Sequence, residues 1–81
     1  MSVDAIILAN FPRNLKYLRL SKNPPISQEA LARILKTTQN SISSYETGTN
    51  LPPASFLLQL SWYAHVSVDD LLSKDLRKKG L

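Results

Sequence analysis

Residues 27–48 read SQEALARILKTTQNSISSYETG and contain two short helical patterns with almost no loop between them. Ser27 predicts an N-cap, because a serine hydroxyl can satisfy a free amide of the first helical turn. The apolar residues that follow at the spacing of one helical face are Leu31, Ile34 and Leu35. Thr38 caps a second pattern, and Gly48 ends it, as glycine commonly does at a helix C-terminus. Helices joined this closely must turn sharply, so the stretch predicts a helix-turn-helix.

The second predicted helix has an outward face made only of amides and hydroxyls. With about 100° per residue, the side chains on this face are Gln39, Asn40, Ser43, Ser44 and Thr47. A helix kept only for solubility would normally carry lysine and glutamate there, since both favour helices and are well solvated. Glutamine and asparagine pair with the adenine edge in the major groove, and hydroxyls bond to bases or phosphates. The face favours a double-stranded DNA partner, although a polar surface with a chance run of serines and threonines is an open alternative.

The stretch resembles the helix-turn-helix of the lambdoid phage repressor and Cro family, also called the XRE family. The resemblance rests on Ser27, Gln28, Ala32, the run from Thr37 to Ile42, Glu46 and Gly48. It extends over about residues 11–72 and implies an all-α, five-helix, lambda-repressor-like DNA-binding domain. The turn departs from the family pattern, because Lys36 replaces the usual glycine and would bring a side chain to positive φ. The second helix also has no arginine, which weakens the case for direct reading of guanine.

The resemblance implies roles for individual residues. Gln39 and Asn40 would read base edges. Gln28 resembles the family residue that supports both a phosphate and the first glutamine of the recognition helix, which is Gln39 here. Lys36, Thr49 and Asn50 are candidates for the phosphate clamp. The complete predicted DNA-binding set is Gln28, Lys36, Thr38, Gln39, Asn40, Ser43, Ser44, Thr47, Thr49 and Asn50. Residues 37–73 contain no arginine, so sensing of a narrow minor groove in this region is not expected.

A structural ion pair between Arg19 and Glu46 is also expected. Both residues match family positions that resemble a pair linking the first helix of the domain, helix 1, to the recognition helix, which is the second helix of the helix-turn-helix. Glu46 lies at the border between the core face and the DNA face of its helix. The pair is therefore predicted to be mostly buried.

Length and composition restrict the class of protein. The chain has 81 residues, no cysteine and a net charge of +4, which indicates one small domain without disulfides or a cysteine zinc site. No run is long enough to span a bilayer, and Ile6 to Leu8 is too short for a signal peptide, so a cytoplasmic location is the default. Residues 74–81 hold four cations against one acid, whereas the rest is nearly neutral.

The two ends of the chain flank the predicted helix-turn-helix domain. Residues 1–10 form an apolar N-terminal segment, either further helical turns or an extended segment on the domain or a partner. Asn10 predicts an N-cap, so helix 1 is expected to begin at Phe11 and the helix-turn-helix domain to cover residues 11–73. The basic tail, residues 74–81, is expected to be a solvated, fraying terminus in preference to a DNA-binding arm.

Dimerisation through the last third of the chain is predicted from the information that a site must contain. One recognition helix reads only a few base pairs, so two copies on a two-fold related operator are expected. A fourth helix is expected from about Ala54 to His65, with Phe56, Leu57 and Leu60 as its buried stripe. Trp62 lies outside this stripe, although it could instead cover helix 1 or the N-terminal segment. The expected interface residues are Trp62, Tyr63, Val66, Val68, Leu71 and Leu72.

Signs of catalysis are lacking in the sequence. His65 is the one histidine, and the only glycines are Gly48 and Gly80, which leaves no phosphate-binding glycine loop. No enzyme activity, metal, cofactor or small-molecule ligand is expected.

The sequence predicts a transcriptional regulator, most simply a repressor. The alternative is a helix-turn-helix module that acts mainly by protein binding, such as an antitoxin-like or anti-repressor protein.

Overall fold

The computed structural model describes residues 2–78, which form five α-helices and no strand. The helices are α1 (Val3–Leu20), α2 (Gln28–Ile34), α3 (Gln39–Thr47), α4 (Ala54–Ala64) and α5 (Val68–Ser73). The predicted all-α fold with a helix-turn-helix, formed by α2 and α3, is confirmed. Within the described range, none of the helices has the length and apolar character needed to cross a membrane.

Helix α1 begins about two turns earlier than predicted. Ser2 is its N-cap, and the Ser2 hydroxyl accepts a hydrogen bond from the amide of Ala5 at 3.1 Å. Asn10, predicted to be the cap, lies within the helix, where its Nδ2 donates to the carbonyl of Ile6 at 2.8 Å. The predicted start at Phe11 is therefore wrong, because a better cap precedes it and Ile7 packs against the core.

The remaining helix ends follow local chemistry. The hydroxyls of Ser27, Thr38 and Ser67 each accept a hydrogen bond from the amide three residues later, as expected for N-caps. Lys36 has a φ of 57°, and the amide of Thr37 donates to the carbonyl of Ala32 at 2.9 Å. This left-handed C-terminal cap closes α2 with a lysine in the conformation that glycine usually adopts.

The core lies between α1 and the four shorter helices. Helix α1 packs against α3 and α5, and α2 packs against α3. The Phe56 ring lies 6.4 Å from the ring of Phe11 and 4.8 Å from that of Tyr45, measured between centroids, which ties α4 to α1 and α3. The buried hydrophobic residues are Phe11, Leu15, Leu31, Ala32, Leu35, Ile42, Tyr45, Phe56, Leu60, Val66, Leu71 and Leu76.

The segment after α5 is held against α1 by one buried asparagine. Asn14 donates through Nδ2 to the carbonyls of Leu71 (2.9 Å) and Lys74 (2.7 Å), and its Oδ1 accepts from the amide of Leu76 (3.1 Å). We call this set of bonds the Asn14 latch. Leu76 is fully buried, so the expectation of a fraying tail is wrong for the residues up to it. The last part of that tail, Lys79 to Leu81, lies outside the described residues.

Candidate nucleic-acid interface

Helix α3 presents its polar side to solvent and its apolar side to the core. Ile42 is fully buried and Tyr45 is 9% exposed, which fixes the rotation of the helix about its axis. The outward residues of α3 divide by exposure. Gln39, Asn40 and Thr47 are exposed, whereas Ser43 and Ser44 are half-buried. The structure therefore brings the five predicted groove residues onto one accessible face.

The amides and the hydroxyls of this face differ in their hydrogen bonding. The Ser44 hydroxyl donates to the carbonyl of Ser41 at 3.0 Å, and the Thr47 hydroxyl donates to the carbonyl of Ser44 at 3.2 Å. The side chains of Gln39 and Asn40 make no hydrogen bond to any residue in the range 2–78. The donors and acceptors of both amides are therefore available to a ligand, whereas the two hydroxyls have their hydrogens engaged.

The predicted phosphate contacts flank this face. Thr38 uses its hydroxyl internally, since Oγ1 accepts from the Ser41 amide at 3.1 Å and donates to the Ser41 hydroxyl at 3.0 Å. The hydroxyls of Thr47 and Thr49 are 2.9 Å apart. Lys36 and Asn50 are exposed. Of this group, Lys36 has the one cationic side chain, placed in the turn directly before α3.

A buried cluster fixes α3 to α1. Arg19 donates through Nε to Glu46 Oε2 at 2.8 Å and through Nη2 to Glu46 Oε1 at 3.0 Å. The Arg19 side chain is 10% exposed and that of Glu46 is 4% exposed. Arg19 Nη1 also donates to the carbonyl of Ile26 at 2.9 Å, so the same guanidinium holds the loop before α2. We call these residues, with Gln28, the Arg19 cluster. The predicted contact between Arg19 and Glu46 is present and mostly buried.

The environment of Arg19 favours its charged form. Hydrogen bonding to Glu46 raises the pKa of the Arg19 guanidinium, burial opposes this by disfavouring the charge, and the Glu46 carboxylate adds a further attraction. The raised pKa means that the folded chain binds this proton more tightly than the unfolded chain. As far as the Arg19 proton is concerned, this stabilisation is complete below the strongly alkaline range in which arginine titrates, and it is lost as pH rises through that range.

Gln28 has a different partner from the one that the resemblance implies. Its Nε2 donates to Glu46 Oε1 at 3.1 Å, and no hydrogen bond joins it to Gln39. The Glu46 carboxylate thus accepts from both Arg19 and Gln28, which leaves the first recognition glutamine free. The carbonyl of Ile26 was not foreseen as part of this cluster, because a main-chain group leaves no mark in a residue pattern.

The residues proposed for dimerisation do not form one surface. Val66 is 7% exposed and Leu71 is fully buried, so their inclusion is wrong; both side chains fill the core between α5 and its neighbours. Trp62 is 66% exposed, which excludes the alternative that it is covered by α1 or by the N-terminal segment. Tyr63, Val68 and Leu72 are half-buried. The Nζ of Lys22 lies 4.8 Å from the centroid of the Tyr63 ring.

Comparison with protein families agrees with this geometry. The family model described as Helix-turn-helix matches residues 15–71, which include every predicted DNA-binding residue. Comparison with curated proteins and with solved structures gave no match. Within residues 2–78, no three histidine, aspartate or glutamate side chains are grouped so as to hold a metal ion. The match covers most of the chain, and the protein belongs to the XRE family of helix-turn-helix proteins, a family of DNA-binding regulators.

Proposed function

We propose that the protein is a sequence-specific transcriptional repressor that reads the major groove with α3, from Gln39 to Thr47. One observation carries this proposal: Gln39 and Asn40 are exposed at the N-terminal end of α3, with amides that no other side chain in residues 2–78 engages. In helix-turn-helix proteins this end of the recognition helix contacts base edges. An amide can donate to and accept from one adenine at the same time, which gives base discrimination without charge.

Phosphate contacts on this side would be few. Residues 37–73 contain neither lysine nor arginine, so Lys36 supplies the charge beside α3, and Thr49 and Asn50 supply uncharged donors. Because salt dependence follows the number of phosphates neutralised, we expect a shallower slope than for a strongly basic DNA-binding protein. Specificity would then come mainly from base contacts.

We propose repression, because occupying a site is sufficient for it, whereas activation needs a further contact. The proposed location is the cytoplasm.

The proposed repressor acts as a homodimer on DNA. Trp62 and Leu58 lie one turn apart on α4 and are 66% and 45% exposed. A large exposed aromatic beside an exposed leucine is the composition of an interface centre. Among the interface residues expected from the sequence, we place Trp62 at the centre of this surface and Tyr63, Val68 and Leu72 at its edge.

Selection of bound sequences from a random DNA pool tests the reading of bases. The parent chain should return a two-fold symmetric motif. Gln39→Ala and Asn40→Ala should each weaken binding to the selected site by about 1–3 kcal/mol and relax the preference at particular positions. Gln59→Ala removes the same kind of amide side chain from α4. It is the matched control and should bind as the parent does. Unchanged binding by both α3 variants would remove α3 from the groove.

Trp62→Ala tests the dimer. We expect the variant to lose cooperative binding to the full operator, to keep half-site binding, and to melt at the parent temperature because Trp62 is exposed. Val3→Ala is the control, since Val3 is 71% exposed and lies on α1. The competing function, a helix-turn-helix module that acts only by protein binding, requires that no DNA sequence is shifted even at low salt.

A further inference from the structure

A groove runs along α1, and neither of the candidate base-reading residues, Gln39 and Asn40, lines it. Its volume is about 500 Å³. The apolar lining consists of Leu8, Ala9, Pro12, Tyr17 and Leu20, and the charged lining consists of Arg13, Lys16, Glu46 and Arg77. We call it the α1 groove. We refer to its apolar lining as the floor and to Arg13, Lys16 and Arg77 as the rim, and the DNA-reading proposal uses neither.

The floor of the α1 groove is long and accessible. Leu8 and Leu20 are each 45% exposed, which is high for leucines on a helix whose other face packs in the core. They are twelve residues apart in the continuous helix α1, a distance of about 18 Å. A partner helix of about twelve residues has the same length. A strip of this shape suits an extended or helical segment better than a compact small molecule.

The rim of the α1 groove has unpaired positive charge. Within residues 2–78, no carboxylate lies in salt-bridge range of Lys16 or Arg77, and both residues are exposed. Arg13 is 3.6 Å from Asp75 and remains about half exposed. The one acid in the lining, Glu46, is already bound by Arg19 and Gln28. Lys16 and Arg77 therefore have no carboxylate partner among residues 2–78, and they line the same groove as the half-exposed leucines.

We propose that the α1 groove docks an acidic amphipathic helix of a partner protein. The apolar face of such a helix would cover Leu8 and Leu20, and its acidic flanks would meet Lys16 and Arg77. Charge complementarity selects this occupant, since a basic helix would be repelled by the same rim. Phosphate groups of DNA would also meet the cations, but they leave the apolar floor in water. The proposal does not depend on which bases α3 reads.

The probe is a fluorescent 14-residue peptide with leucines at helical positions i, i+3, i+4, i+7 and i+11 and glutamates on the flanking positions. It is titrated with the full chain without DNA, and binding is followed by fluorescence anisotropy. Two further peptides serve as comparisons, one scrambled and one with lysine in place of each glutamate. We expect binding of the acidic amphipathic peptide alone, weakening as salt rises because the rim charges are exposed.

Charge reversal on the rim locates the site. The double variant Lys16→Glu with Arg77→Glu should weaken binding of the acidic peptide at least tenfold. The matched control is Lys22→Glu with Arg33→Glu, which changes the net charge equally at exposed positions outside the groove lining. The control should bind the peptide within about twofold of the parent. Circular dichroism and thermal unfolding establish that both variants fold, and NMR shift changes at Leu8 and Leu20 mark the occupied surface.

Several outcomes would overturn the proposal. They include no binding of the acidic peptide at about 1 mM, the weak limit of specific recognition, and equal binding of the scrambled or basic peptide. Occupancy of the groove by decanoate but not by the peptide would make it a site for an apolar carboxylate. Loss of DNA affinity in the rim variant, without any peptide binding, would make the rim a phosphate contact. Equal weakening in the rim variant and the control would make the attraction a general charge effect.

Discussion

Helix α1 holds two other parts of the protein through two polar clusters that differ in charge. The Arg19 cluster joins α1 to α3 by an ion pair whose side chains are 10% and 4% exposed. The Asn14 latch joins α1 to the segment after α5 by a neutral amide that is fully buried. Both clusters span a long separation in sequence, 27 residues for Arg19 and Glu46 and 62 for Asn14 and Leu76.

The difference shows how burial determines whether a neutral or a charged side chain can join two parts of the fold. At the fully dry position, Asn14 satisfies three main-chain groups and introduces no charge that would have to lose its hydration. The ion pair is placed where a little solvent remains, and each of its charges has further hydrogen bonds. The charged cluster orients the recognition helix, whereas the neutral cluster closes the end of the domain.

Breaking the Arg19 cluster should have the largest effect. Glu46→Gln keeps the shape of the side chain but leaves the Arg19 charge buried without its partner, so we expect a loss of about 4 kcal/mol in the free energy of unfolding. Urea unfolding measures it. Glu29→Gln is the control, because the Glu29–Arg33 pair is 3.4 Å long and exposed; its loss should stay below about 0.5 kcal/mol. Similar small losses in both variants would show that the cluster contributes no more than a surface pair.

Adding charge to the latch should have the next largest effect. Asn14→Asp places a carboxylate oxygen against the carbonyls of Leu71 and Lys74, to which Asn14 now donates. We expect a loss of about 3 kcal/mol at neutral pH. The raised pKa of the new aspartate would make stability fall as pH rises through it and recover in acid. Unfolding measured between pH 3 and 8 should show this slope, and a pH-independent loss would contradict it.

Removing the latch without adding charge should have a smaller effect. Asn14→Ala leaves the two carbonyls and the Leu76 amide without their partner, and we expect a loss of about 2 kcal/mol. Asn10→Ala is the control on the same helix, because Asn10 makes a half-buried bond to the carbonyl of Ile6 and accepts an exposed one from Arg13 Nη2 at 3.3 Å. Hydrogen exchange should show the Leu76 amide losing protection before the amides of α3 do. Equal losses for Asn10 and Asn14 would remove the special role of the latch.

The smallest expected effect is a gain, at the two left-handed caps. Lys36 and His65 both have a φ of 57°, Lys36 in the turn between α2 and α3 and His65 in the α4–α5 connection. Lys36→Gly and His65→Gly should each raise the free energy of unfolding by about 0.5 kcal/mol, since relief of backbone strain exceeds the added entropy of the unfolded chain. Only Lys36→Gly should also lower the salt dependence of DNA binding, by about one ion. An equal change in His65→Gly would exclude a phosphate contact at Lys36.

The buried position of Asn14 could be read from sequence, but its partners could not. Asn14 lies within the helical stripe of Phe11 and Leu15, so its spacing places it on the core face. Its three bonds go to main-chain groups of residues 71–76, and a main-chain group has no residue type that would identify it. The Arg19–Glu46 contact was predicted because two charged side chains match a family position, which is a signal that residue types do carry.

The sequence alone determined the features that depend on neighbours within a few residues. The caps at Ser27, Thr38 and Ser67, the stop at Gly48 and the polar face of α3 follow from side chains acting on their own turn. Tertiary structure alone decided the burial of Val66, Leu71 and Leu76 and the exposure of Trp62. These outcomes depend on contacts between residues far apart in the chain, and a local pattern contains no information about which distant surface will cover it.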